Sequence, residues 1–165
     1  MAIKVGDRLP DGKLSESVEF DAACPMPPKD LSVAEATKGK KVVIFALPGA
    51  FTPTCSVQHL PSYVAKAGAL KAKGIDEVVG TSVNDAFVMS AWNQHQGSED
   101  LKMLADGNGE FAQAIGLTMD VSKYGMGTRS QRYSMVVNDG VVEQLNVEAP
   151  GAYEASSAEH MLEQM

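Results

Sequence analysis

The apolar and polar residues alternate between short continuous apolar runs and longer stretches with a helical period. Residues 41–47 form an apolar run rich in β-branched side chains, which favours a strand buried on both faces. In residues 54–73 apolar side chains recur every three or four positions, which predicts a helix, and Pro61 within it predicts a kink. Before the strand, a short helix is predicted from Ser32 as N-cap to Gly39.

The same alternation continues through the middle of the chain. Residues 77–83 predict a second strand, followed by a helix whose N-cap is Asn84 or Asp85. A short strand at 103–105 and a helix over 109–115 come next. Strands that alternate with helices predict parallel pairing with crossover helices.

The last third of the chain carries a strong hairpin signal. Residues 133–137 and 141–147 are strand-like, and the Asn-Asp-Gly turn at 138–140 joins them. Ser156 begins a capping-box sequence that predicts a terminal helix. Together the elements predict one α/β domain over residues 1–165, with a thioredoxin-like fold in which helices flank a mixed central β-sheet.

Composition and charge exclude several classes of function. The 165 residues are 44% hydrophobic and 21% charged, with a formal net charge of −7, and this acidic balance disfavours nucleic acid and anionic membranes as partners. The N-terminus lacks a secretory signal, and no apolar run reaches the roughly 20 residues that span a bilayer. We therefore expect a cytoplasmic protein. Two cysteines are too few for a disulfide framework or a Cys-built metal site, and we expect no cofactor.

One cysteine occupies a place that suits a reactive thiol. The predicted strand ends in a turn at Pro48 and Gly49, and Cys55 follows in the first turn of the next helix. Free backbone N–H groups and the positive end of the helix dipole favour an anion there, which predicts a thiolate. Lowering the pKa of a thiol from about 8.5 to about 6 needs roughly 3.4 kcal/mol of stabilisation of the thiolate. The helix dipole supplies only about 0.3–2 kcal/mol of this, so a cation is also needed. Arg129 and Arg132, beside a strand expected in the sheet centre, are the candidates.

The segment around Cys55 resembles the active-site motif of a known family. Residues 48–55 read Pro-Gly-Ala-Phe-Thr-Pro-Thr-Cys, which is similar to the Pro-x-x-x-Thr-x-x-Cys motif of peroxiredoxins. The resemblance is greatest to the branch that contains the plant type II enzymes and the mammalian fifth peroxiredoxin. It covers nearly the whole chain and includes further blocks at residues 59–61, 82–88, 106–111 and 129–137.

The resemblance implies a role for each matching residue. Cys55 would be the nucleophile that attacks a hydroperoxide and becomes a sulfenic acid. Thr52 would hydrogen-bond the thiolate and the peroxide, Arg132 would be the main cation, and Pro48 would shield the pocket from water. His59 lies one helical turn after the thiol and invites a Cys–His interpretation, but an ionised thiol needs no general base.

This chain departs from those relatives where a second, resolving cysteine is expected. The position matching the mammalian resolving cysteine is Ser156, and the position matching the plant one is Gly80. The expected cycle is therefore one-Cys, with an outside thiol as reductant: glutathione with glutaredoxin, or thioredoxin. Cys24 as an unusual resolving cysteine remains the alternative.

Three further expectations concern assembly and competing functions. The resemblance implies a homodimer, with Phe51 and Phe87 in blocks that pack at the dimer contact of similar proteins. A thioredoxin-like disulfide oxidoreductase needs a Cys-x-x-Cys pair. Gln58 stands where the second cysteine of that pair would be, which disfavours this function. A peroxide sensor or holdase that uses the same thiol without efficient turnover remains an alternative function.

Overall fold

The computed structural model of the protein describes residues 1–16 and 27–165, so Cys24 and the predictions that concern it lie outside the described residues. The strands are β1 (Lys13–Glu16), β2 (Lys29–Ser32), β3 (Lys41–Ala46), β4 (Glu77–Ser82), β5 (Lys102–Ala105), β6 (Thr118–Asp120), β7 (Thr128–Ser130), β8 (Tyr133–Asn138) and β9 (Val141–Val147). The α-helices are α1 (Val33–Thr37), α2 (Leu60–Ala72), α3 (Ala86–Gln96), α4 (Glu110–Ala114) and α5 (Ala158–Glu163).

A seven-stranded mixed sheet forms the centre of the fold, in the order β2-β1-β5-β4-β3-β8-β9. Strands β3, β4 and β5 are parallel neighbours, whereas β8 pairs antiparallel with both β3 and β9. Strands β6 and β7 form a separate antiparallel pair. The predicted thioredoxin-like arrangement, a mixed sheet flanked by helices, is confirmed.

Strand β3 lies inside the sheet because both of its faces are apolar. Val43 and Phe45 pack into one core cluster, which also contains Trp92. Val42 and Ile44 point to the opposite cluster, since successive side chains of a strand alternate between the two faces. Trp92 is fully buried in that first cluster.

The predicted helix over 54–73 consists of two parts. Residues Cys55–His59 form a π-helical turn, closed by a hydrogen bond from the Leu60 N–H to the Cys55 carbonyl, and α2 follows. Pro61 lies in the first turn of α2, where its missing N–H is tolerated. In place of the predicted kink at Pro61, the structure has a wide π turn just before the proline.

The structure decides one helix cap that the sequence left open and corrects another. Asp85 caps α3 by accepting from the Val88 N–H, whereas the Asn84 side chain accepts from the Ala50 N–H. The N-cap of α5 is Ser157 and not Ser156 as predicted, because the hydroxyl of Ser156 donates to Glu148. The described ranges hold no helix that has the length and apolar character to cross a membrane.

Candidate active site

Cys55 lies at the start of the π turn, directly after the loop that leaves β3. Its side chain is fully buried, with 0% exposure. The loop places Phe51 at a φ of 62°, a left-handed conformation that non-glycine residues rarely adopt. A hydrogen bond of 2.9 Å from the Ala50 N–H to Asn84 Oδ1 ties the loop to the end of β4. The position of the thiol is therefore fixed by strand ends and not by the π turn alone.

Arg132 reaches Cys55 from the neighbouring strand. Because Ala46 pairs with Tyr133 across β3 and β8, the residue before Tyr133 emerges beside the end of β3. Arg132 Nη2 donates to Cys55 Sγ at 3.2 Å. Of the two candidate cations, Arg132 is thus the one that the structure places on the thiol.

Thr52, Pro48 and Arg129 build the loop beside the thiol. The Thr52 hydroxyl donates to the Gly49 carbonyl at 2.6 Å, so its proton is engaged within the loop. Arg129 donates to the Pro48 carbonyl at 3.2 Å and to the Met126 carbonyl at 2.9 Å. Arg129 therefore stabilises the loop, and the roles of Thr52 and Pro48 toward a peroxide stay predictions.

His59 has both ring nitrogens occupied. Nδ1 lies 3.0 Å from Arg132 Nη1, and Nε2 lies 3.2 Å from the Ser156 carbonyl oxygen. Since Arg132 only donates and a carbonyl only accepts, these partners assign the proton to Nε2. Burial, together with the positive charge of Arg132, lowers the pKa of His59 to about 3 although the Ser156 carbonyl opposes the shift. His59 is therefore neutral and directed at Arg132, and it is not a base for Cys55.

Aromatic rings enclose the His59 side chain. Its ring centroid lies 5.3 Å from Phe45, 5.6 Å from Tyr63 and 5.4 Å from Tyr153. The Tyr153 ring also covers the Arg132 guanidinium, 6.0 Å from Cζ to the centroid. These contacts restrict the orientation of the imidazole and limit the access of water to the guanidinium.

The segment after β9, residues 148–156, is organised by one carboxylate and is called the Glu148 loop below. Glu148 Oε1 accepts from the backbone N–H groups of Glu154, Ala155 and Ser156 at 2.9, 2.7 and 2.7 Å, and from the Ser156 hydroxyl at 2.8 Å. Burial alone would raise the pKa of Glu148, but these hydrogen bonds lower it below its usual value. A charged Glu148 therefore holds the loop.

The two positions at which a resolving cysteine was considered are both enclosed. Gly80 lies between Phe45 and Met103, where an added Cβ would come within 2.6 Å of Met103 Sδ and 2.9 Å of Phe45 Cζ. Ser156 is fully buried. Across residues 1–16 and 27–165, Cys55 is the cysteine present, and its thiol is free.

A cavity of about 840 Å³ opens beside the Arg132 side chain that contacts the thiol. Thr52, three residues before Cys55, and Arg132, which contacts the thiol, both contribute to its wall. Much of the remaining wall is apolar and includes Pro48, Met119, Tyr124, Met126 and Pro150.

Comparison with known proteins agrees with this geometry. The sequence profile of the Redoxin family matches residues 4–162. Peroxiredoxin-2E-2, chloroplastic, from Oryza sativa subsp. japonica is 51% identical over 164 residues, which cover 97% of this chain and 71% of that protein. The chain belongs to the peroxiredoxin family. It is thus a peroxidase that acts on hydroperoxides with thiol reductants.

Solved structures place this peroxiredoxin among similar folds. The reduced Prx3 of Vibrio vulnificus in complex with H₂O₂ is 49% identical with a TM-score of 0.91, and the match covers 98% of both chains. A 1-Cys peroxiredoxin of Plasmodium falciparum is 25% identical with a TM-score of 0.90, over 98% of both chains. Since the rice relative is named chloroplastic, the cytoplasmic location of this chain stays a prediction.

The neutral, buried His59 should make stability depend on pH. The unfolded chain binds a proton at this residue as the pH falls through 6.5, whereas the folded protein does so only near a pKa of 3. His59 therefore lowers the free energy of unfolding by about 2 kcal/mol between pH 7 and pH 5. Urea denaturation at both pH values should show this loss in the wild type and a smaller loss in His59→Asn. Equal losses in the two proteins would contradict the assignment.

Proposed function

We propose that this peroxiredoxin reduces hydrogen peroxide and small organic hydroperoxides through a sulfenic acid at Cys55. The observation that carries the proposal is the 3.2 Å contact between Arg132 Nη2 and Cys55 Sγ in a buried site. A cation at this distance favours the thiolate over the thiol, and the thiolate is the nucleophile.

The reaction consists of one displacement. The Cys55 thiolate attacks one peroxide oxygen, the O–O bond breaks, and the S–O bond of the sulfenic acid forms. The leaving oxygen carries away the electron pair of the broken bond, takes up a proton, and departs as water or an alcohol. Arg132 pairs first with the thiolate and then with the charge that develops on the leaving oxygen, and such fixed donors stabilise the transition state most.

The remaining site residues support the same reaction. We assign to the Thr52 hydroxyl oxygen the role of accepting a hydrogen bond from the peroxide, because its own proton is held by the Gly49 carbonyl. Pro48 contributes an apolar edge to the cavity and reduces the access of water. The apolar wall formed by Met119, Tyr124 and Met126 suits the alkyl group of a small organic hydroperoxide.

The second half of the cycle uses an outside thiol. A thiol such as glutathione attacks the sulfenic acid, releases water and leaves a mixed disulfide, which glutaredoxin or another thiol then reduces. Thioredoxin is the second candidate reductant. The glycine at position 80 and the serine at position 156, where a resolving cysteine was considered, support this one-Cys cycle. A resolving role for Cys24 is the alternative, and it would give a disulfide with Cys55.

The active form is proposed to be a homodimer. Phe51 and Phe87 are 54% and 41% exposed, and Val57 in the π turn is 73% exposed. The Phe51 ring lies 5.7 Å from that of His95 in α3, so the loop lies against the helix that also carries Phe87. A second copy of the chain that covers this surface would remove it from water.

The catalytic proposal is tested by trapping the sulfenic acid and by changing the arginines. Reduced protein given one equivalent of hydrogen peroxide with a sulfenic-acid trap should carry the adduct on Cys55, as read by peptide mass. Arg132→Met should slow peroxide consumption about 100- to 1,000-fold, because it removes a preorganised donor. Arg129→Met, which changes a loop arginine that does not contact the thiol, should cost less than tenfold.

The outcomes of this experiment separate the alternatives. A disulfide that joins Cys24 to Cys55 would replace the one-Cys cycle with a two-Cys cycle. A single oxidation that is not reversed by glutathione with glutaredoxin or by thioredoxin would favour the sensor or holdase. A thiol that stays reduced would contradict the peroxidase role of Cys55.

The dimer is tested by sedimentation. The wild type should sediment at twice the chain mass at micromolar concentration, and Phe87→Asp should shift it to the monomer because a carboxylate would be buried at the contact. Lys71→Asp, at an exposed position of α2, is the matched charge-changing control and should remain dimeric. A wild type that sediments as a monomer would refute the homodimer.

A further inference from the structure

The guanidinium of Arg132 is held at two of its nitrogens. Nη2 donates to Cys55 Sγ at 3.2 Å, and Nη1 donates to His59 Nδ1 at 3.0 Å. An arginine side chain has several rotatable bonds, and ordering it costs rotamer entropy. A second fixed partner reduces the orientations that the planar guanidinium can adopt, so the contact with His59 directs Nη2 at the sulfur.

His59 is itself fixed from its other side. Nε2–H donates to the Ser156 carbonyl, which also accepts from the Tyr63 hydroxyl at 2.7 Å. Ser156 in turn donates its N–H and its hydroxyl to Glu148 Oε1. A continuous series of hydrogen bonds therefore runs from the Glu148 carboxylate through Ser156 and His59 to the guanidinium on the thiol.

The chemistry of the acceptor matters as much as its position. A carboxylate in place of the imidazole would also hold Arg132, but its negative charge would offset the positive charge that favours the thiolate. A neutral imidazole accepts the hydrogen bond and leaves that positive charge directed at Cys55. The lowered pKa of His59 is consistent with this, since the ring stays neutral at physiological pH.

We propose that His59 is a positioning residue for peroxide reduction, which fixes Arg132 against Cys55 Sγ through Nδ1, and that the Ser156 carbonyl keeps the ring proton on Nε2 so that Nδ1 can accept. This inference rests on the proposed function of Cys55. It assigns to His59 neither proton transfer nor contact with the peroxide.

Two substitutions of His59 separate positioning from packing. Asparagine can place Oδ1 where Nδ1 lies, so His59→Asn keeps an acceptor for Arg132 and loses the donor to Ser156. Glutamine can place Nε2 where the imidazole Nε2 lies, so His59→Gln keeps the donor and loses the acceptor for Arg132. Each variant thus retains one of the two hydrogen bonds of His59.

The experiment measures the second-order rate of Cys55 oxidation by hydrogen peroxide in the full chain at pH 7. His59→Gln should lower this rate about 10- to 100-fold, since a small misplacement of a reacting group can cost about 100-fold. His59→Asn should stay within about fivefold of the wild type. Equal losses in both variants would show that the ring only packs, and would overturn the proposal.

A double-mutant cycle tests whether His59 acts through Arg132. In an Arg132→Met background, His59→Gln should change the rate less than twofold, because the guanidinium that it positions is gone. A loss as large as in the wild-type background would overturn the proposal, even if both single variants are slow. Tyr63→Phe removes the other donor to the Ser156 carbonyl without touching Arg132, and it should react within threefold of the wild type.

The proposal and the proposed function fail in different ways. A wild type that does not react with peroxide would overturn both. An active wild type with an equally active His59→Gln would overturn only the positioning role. Thermal unfolding of every variant shows whether it is folded. The rates of His59→Asn and His59→Gln are compared at a temperature at which both variants are folded.

Discussion

The contact between the Arg132 guanidinium and the Cys55 thiol is the interaction on which the site depends. A fully buried thiolate without a partner would be too costly to form, and a cation 3.2 Å away offsets that cost. The contact exists because β3 and β8 pair antiparallel, with Ala46 opposite Tyr133. A shift of one residue in this register would turn Arg132 to the other face of the sheet.

The charges around this pair are arranged so that they do not compete with it. Glu148 is an acidic residue beside the site, but Oε1 of its carboxylate is occupied by three backbone donors and a hydroxyl of its own loop. His59 is neutral and accepts from Arg132 without adding a negative charge. The positive charge of Arg132 therefore acts on the sulfur and on the oxygen that leaves it.

The sequence predicts well the parts that depend on local pattern. Strands β3, β4, β8 and β9 are continuous apolar or alternating runs, and the structure confirms them close to the expected bounds. The short strands β1, β2, β6 and β7 were not predicted, because three or four residues carry little periodicity and these segments, unlike β5, are mostly polar. The N-cap of α3 was left open between Asn84 and Asp85, and the cap of the terminal helix was predicted one residue early, at Ser156. In both places a distant partner of the neighbouring residue decides which one caps.

The same distinction applies to the site. Cys55 and Arg132 were identified from a motif and from an expected place at the sheet centre, and the structure brings them together. Glu148 and the Ser156 carbonyl were missed, because a carboxylate that binds the backbone of its own loop leaves no mark in the sequence. The sequence showed His59 only as a polar residue one helical turn after the thiol. It could not show that the partner of His59 is an arginine 73 positions away.

The rate at which Cys55 reacts with peroxide tests the account most directly. Trp92, the single tryptophan of the chain, donates through Nε1 to the hydroxyl of Ser56 at 3.0 Å, next to Cys55, so its fluorescence can report oxidation of the thiol. Rapid mixing of the reduced protein with hydrogen peroxide should give a second-order rate at least about 100 times that of free cysteine at the same pH, because the site supplies preorganised donors. The signal should disappear in Cys55→Ser. A rate equal to that of free cysteine would contradict the account.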